Sequence, residues 1–120
     1  TLTDTNVVAN TATQIVLYVQ SLAVLTDSPL TATRCTFTST ATSGGGNGLW
    51  FESAITNSAV SLTDCTVKSH GPALKFASLT TSDVTQTRTY LTTLDTAVDW
   101  LDVTAAVDSN IQATGGRWQR

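Results

Sequence analysis

A chain of 120 residues with 41% hydrophobic and 12% charged side chains can bury one core, and its net charge of −3, with lysines and arginines scattered, offers no basic face for nucleic acid. One histidine and two cysteines are too few to build a Cys/His zinc site or a disulfide scaffold, and no apolar run reaches the roughly 20 residues that cross a bilayer as a helix. Polarity comes instead from 25 threonines, whose branched Cβ, like that of valine, favours pleated strands over helices.

In chain order, a first strand is expected in "LTDTNV" (Leu2–Val7), followed by an apolar, any, aromatic element at Val16-Leu17-Tyr18. "ATRCTF" (Ala32–Phe37) repeats the first phrase, the Gly-rich "TSGGGNG" (42–48) reads as a loop insertion, and Leu49-Trp50-Phe51 repeats the second. A third pass gives "LTDCTV" (Leu62–Val67), a turn at Ser69–Pro72 and Leu74-Lys75-Phe76. A fourth gives "QTRTYL" (Gln86–Leu91) and Val98-Asp99-Trp100, before a tail ending "TGGRWQR". The last three aromatic elements lie 25 and 24 residues apart, and the first gap of 33 contains the glycine loop.

A period of this kind is the signature of a coil that returns to the same place one strand spacing further on, about 4.8 Å. Equivalent residues then stack. Thr3, Thr33, Thr63 and Thr87 form one column; Thr5, Cys35, Cys65 and Thr89 form another; Val60, Val84 and Val107 form a weaker third. Strand alternation is expected to turn Tyr18, Phe51, Phe76 and Trp100 inward as an aromatic ladder beside Val16, Leu49, Leu74 and Val98, and to leave Leu17, Trp50, Lys75 and Asp99 outside. Asp4, Arg34, Asp64 and Arg88 alternate in sign down one column, which fixes register. An antiparallel sandwich is the competing architecture, but Cys35, Trp50 and Cys65 are too closely spaced for an immunoglobulin-type bridge.

The phrase "VSLTDCTVKSHGPALKFA" (Val60–Ala77) resembles a coil of the right-handed parallel β-helices, the pectin-lyase-like superfamily of polysaccharide lyases, phage tailspikes and autotransporter passengers. The resemblance implies an all-β, right-handed parallel β-helix of about four coils over residues 1–112 with a C-terminal tail at 113–120. It also implies a secreted, cell-surface or virion setting. In the family, clustered carboxylates hold calcium or do acid–base work. Here His70-Gly71 lacks the adjacent aspartate pair, and the Asp4 to Arg88 column alternates in sign, so no catalytic residue, metal or cofactor is assigned.

The expected contact surface is Trp50, Glu52, Lys75 and Asp99. An exposed indole beside carboxylate and ammonium groups suits a glycan, and Leu17, Trp50 and Trp118 suit an interface. Glu52 and Asp99 stand two coils apart, roughly 10 Å, marginally wide for an inverting glycosidase. Threonine columns (Thr33, Thr63, Thr87 and Thr36, Thr66) raise ice binding, which Tyr90 and Asn6 interrupt. Cys35 and Cys65 read as stacked small hydrophobes or a disulfide. With no methionine, the sequence reads as a fragment or processed subunit of a homo-oligomer or larger assembly. The function expected is structural or adhesive; a carbohydrate-binding or polysaccharide-degrading fragment is the alternative. No nucleic acid or membrane insertion is expected.

Overall fold

The computed structural model describes residues 1–9, 15–19, 25–40, 46–95 and 99–119. The first turn contains β1 (Leu2–Thr3), β2 (Asn6–Ala9), β3 (Leu17–Val19) and β4 (Leu25–Thr26); the second contains β5 (Leu30–Thr33), β6 (Thr36–Ser39) and β7 (Leu49–Thr56). The third contains β8 (Val60–Thr63), β9 (Thr66–Ser69) and β10 (Leu74–Thr80). The fourth contains β11 (Val84–Thr87), β12 (Tyr90–Thr93), β13 (Leu101–Val103) and β14 (Ala106–Val107), and β15 (Ile111–Thr114) and β16 (Arg117–Gln119) begin another. Every ladder is parallel, so the chain is a β-solenoid of about four turns, not a sandwich.

Three sheets wall the core: β1-β5-β8-β11-β15, β2-β6-β9-β12-β16, and β3-β7-β10-β13 with β4 and β14 alongside. Equivalent residues stack as the repeat demands. Thr3, Thr33, Thr63, Thr87 and Thr114 run in register down the first sheet. Val7, Phe37, Val67, Leu91 and Trp118 run down the second. In the third, Phe51 and Phe76 stack with centroids 5.0 Å apart and rings 7° from parallel.

The corners explain why the sequence permits so tight a circuit. Asp4, Arg34, Asp64 and Arg88 all have φ near +50°, and Gly115 takes the same place in the last turn. That left-handed conformation is unfavourable for ordinary side chains and is held here from both sides. The next residue bonds back across it: the Thr5 hydroxyl and the Cys35 and Cys65 thiols donate to the carbonyls of Thr3, Thr33 and Thr63. The corner side chains pair along the stack, Arg34 on Asp4 and Arg88 on Asp64, each through two hydrogen bonds of 2.6–2.8 Å. These guanidiniums hold both carboxyls below their ordinary pKa, chiefly through the hydrogen bonds.

A second left-handed corner, at Asp27, Asn57, Thr81 and Asp108, is stabilised by serine. Ser28, Ser58, Ser82 and Ser109 each donate to the carbonyl two residues back. Their oxygens also join the turns, since the N–H groups of Ser28, Ser58 and Ser82 donate to the hydroxyls of Ser58, Ser82 and Ser109.

Several expected placements differ. Leu17 pairs with Leu49 and faces the core, so Tyr18 points outward and Val19 meets Phe51. In the first turn, three consecutive apolar residues fit either face, and a slip of one residue inverts all of them. Leu101 and Val103, not Val98 and Trp100, continue the inward columns of Leu74 and Phe76. Val98 lies outside the described residues. Ile111 replaces Val107 in the Val60 column, because Val107 pairs with Thr80. The segment from 113 onward, expected as a tail, is paired through β15 and β16.

Candidate functional site

The outward face of the third sheet concentrates aromatic and charged groups. Tyr18, Trp50, Lys75 and Asp102 occupy one outward column on β3, β7, β10 and β13. Because the strands are parallel and in register, the four side chains follow one another at about 4.8 Å. The Tyr18 and Trp50 rings lie side by side, centroids 5.1 Å apart and tilted 40°. Lys75 Nζ sits 5.1 Å from the Trp50 centroid and 3.4 Å from Asp102 Oδ2. The Tyr18 hydroxyl donates to Glu52, which lies two residues beyond Trp50 on β7. That hydrogen bond, with desolvation and the charge of Glu52, raises the Tyr18 pKa.

The energies of such contacts are modest in water, about 0.5–1 kcal/mol for an exposed cation over a ring and 0–1 for a surface ion pair. Their effect is to favour one arrangement of the side chains over others. Lys75 is tethered by a ring on one side and a carboxylate on the other, and Tyr18 is held by Glu52. The result is a row of mutually contacting side chains along one sheet.

Of the residues expected here, Trp50 and Lys75 are brought together and Glu52 joins them through Tyr18. Asp99 is exposed two residues before β13, outside the column, and Asp102 takes the place expected for it beside Lys75. Leu17 faces inward. Trp118 belongs to the second sheet, where it stacks on Trp100 with centroids 3.8 Å apart. With Leu17 turned inward, the side strip expected from Leu17 and Trp50 does not form. Tyr18 and Asp102 were missed, although leucine at 17, 49, 74 and 101 marks the true register.

Elsewhere, His70 Nδ1 stands 4.0 Å from Asp95 Oδ2. Cys35 and Cys65 are buried and unbonded to each other, and burial pushes the Cys65 thiol up, away from a reactive thiolate. Among the described residues there is neither a ligand-sized cavity nor a group of three metal-ligating side chains. The fold and this face define a parallel β-solenoid with an aromatic and charged strip on its third sheet. Compared with protein-family models, curated proteins and solved structures, the chain matches none.

Proposed function

We propose that the chain is a non-catalytic structural or adhesive module, a right-handed β-helix of the pectin-lyase-like kind. It serves as a fragment or subunit of a homo-oligomer or larger array in a secreted, cell-surface or virion assembly. The observation that supports this reading is the outward column Tyr18, Trp50, Lys75 and Asp102. It lies on an open sheet, where a long partner can run across several turns. Enclosure of a transition state, by contrast, depends on donors preorganised in a water-excluded site.

A polysaccharide-acting fragment is the second reading, favoured by the carboxylates of Glu52 and Asp102 on either side of the Trp50 and Lys75 pair. One experiment separates the two. The purified chain is incubated with a broad polysaccharide panel while its mass is followed by light scattering. An oligomer that releases no oligosaccharide is expected. Turnover by the wild type that a Glu52→Gln/Asp102→Asn variant loses would overturn the structural reading, and a dispersed, cooperatively unfolding monomer would overturn the assembly.

A further inference from the structure

We infer that the outward face of the first sheet is an ice-binding surface, whose ligand is a face of the growing crystal. The inference is independent of the strip on the third sheet and of the assembly proposed above. On β5, β8, β11 and β15 the inward residues alternate with two outward columns. One is Thr3, Thr33, Thr63, Thr87 and Thr114; the other is Thr31, Ser61, Thr85 and Gln112. No register shift interrupts these ladders, unlike the third sheet, where one falls between Phe76 and Ser78. The result is a two-dimensional array, repeating at about 4.8 Å from turn to turn and about 6.6 Å along each strand. The Asn6 and Tyr90 side chains that break a threonine column stand with Thr36 and Thr66 on the second sheet, and they leave this array whole.

Two observations select the ligand. First, the hydroxyls of the array are unspent. Those at the corners and in the core, such as Ser58, Ser82, Thr89 and Thr93, donate to backbone carbonyls. Among the described residues, the side chains of Thr31, Thr33, Ser61, Thr63, Thr85 and Thr87 make no hydrogen bond within the chain. Each hydroxyl can donate one hydrogen bond and accept two, so it can take the place of a water molecule at the edge of a lattice. The branched Cβ of threonine restricts χ1, so oxygen and methyl recur in few orientations from turn to turn. Second, the array carries neither charge nor aromatic ring, although charges line the corner beside it at Asp4, Arg34, Asp64 and Arg88. Protein partners are commonly anchored by Trp, Tyr or Arg, and sugars stack on aromatic rings; the array offers none of these. A solid that itself repeats in two directions and presents both donors and acceptors fits what remains, and the oxygen rows of hexagonal ice recur at comparable intervals. The ranks from Thr31 and Thr33 to Gln112 and Thr114 extend the match over three strand spacings, on the order of 14 Å, so that many weak contacts act as a linked set.

The test is the behaviour of the whole purified chain with ice: the shape of a single growing crystal, the gap between its melting and freezing temperatures, and the partition of the chain into slowly grown ice. The wild type is expected to facet the crystal, open that gap and enter the ice. Thr85→Lys and, separately, Ser61→Arg, both outward in the array, should abolish all three effects with circular dichroism unchanged. Thr36→Lys, exposed on the second sheet, should leave them as in the wild type. Absence of every effect in the wild type would overturn ice binding. Effects that survive Thr85→Lys or Ser61→Arg, or that Thr36→Lys removes as well, would overturn the assignment to this face. Retention on crystalline cellulose or chitin without any effect on ice would show that the periodic ligand is a polysaccharide solid, and would likewise overturn ice binding. A monomer by light scattering that still shapes ice would overturn the assembly alone, and an oligomer indifferent to ice would overturn this inference alone.

Discussion

Replacing Ser82 by alanine isolates the hydroxyl chain that runs through the second corner. In the folded protein Ser82 Oγ accepts the Ser58 N–H at 3.0 Å and donates to the Thr80 carbonyl at 2.8 Å. The Thr80 carbonyl keeps a second partner in the Asn57 N–H at 3.0 Å, so its loss is small. The Ser58 N–H has no such reserve. Both serines are 2% exposed or less, so water does not replace the missing oxygen, and an unsatisfied buried donor costs about 1–3 kcal/mol. Ser28→Ala is the internal control: its exposed hydroxyl donates to Thr26, also exposed, and its removal should cost less than about 0.5 kcal/mol. Urea unfolding with an unchanged m-value measures both, and in thermal melts the Ser82 variant should fall by at least about 4 °C. Equal shifts for the two variants would show that the serine chain does not join the turns energetically.

Phe76→Ala, which removes a fully buried ring stacked on Phe51, should destabilise by about 3–5 kcal/mol, whereas the outward Trp50→Ala should cost under about 1 kcal/mol in the same urea assay. Lowering the pH should remove the contribution of the Asp4–Arg34 and Asp64–Arg88 pairs. Both carboxyls are held below the usual value of about 3.9, so the folded chain binds fewer protons there; the stabilisation is present above that value and fades as pH falls through the depressed folded pKa. The effect should be small and weaken with salt, because both pairs are exposed. Asp64→Asn should abolish its share, and a wild-type midpoint that rose relative to this variant on acidification would contradict the sign.

The solenoid is legible in the sequence because its corners repeat chemically. Thr-Asp-Thr, Thr-Arg-Cys, Thr-Asp-Cys and Thr-Arg-Thr each place a strand end, a left-handed residue and a back-bonding hydroxyl or thiol in the same order. Three columns follow from that phrase alone. The third sheet was harder, because it is apolar over longer stretches. Val16-Leu17-Tyr18 fits the apolar, any, aromatic pattern while the true inward pair is Leu17 and Val19, with valine in the aromatic place, and only pairing with Leu49 reveals it. Val98-Asp99-Trp100 likewise carries the aromatic, whereas Leu101-Asp102-Val103, which pairs with Leu74-Lys75-Phe76, does not, and Asp99 was therefore read in the place of Asp102. The serine chain went unread because Asp27-Ser28, Asn57-Ser58 and Asp108-Ser109 also look like ordinary turns. Gln86 was beyond reach: it sits in the core column of Leu62 with no hydrogen-bond partner for its amide, and no local pattern announces a buried polar side chain.

The alternating corner charges also impose arithmetic on how such a chain can change. Asp4, Arg34, Asp64 and Arg88 succeed one another without repetition, so each coil is distinguishable from its immediate neighbours but equivalent to the next but one. Excising one inner coil, or docking a strand one coil out of turn during folding, sets aspartate on aspartate or arginine on arginine at about 4.8 Å. Loss or gain of two coils restores the sequence of signs. The second corner, with Asp27, Asn57, Thr81 and Asp108, enforces no such rule. The column therefore works as a weak parity check, disfavouring a register error of one coil more than an error of two.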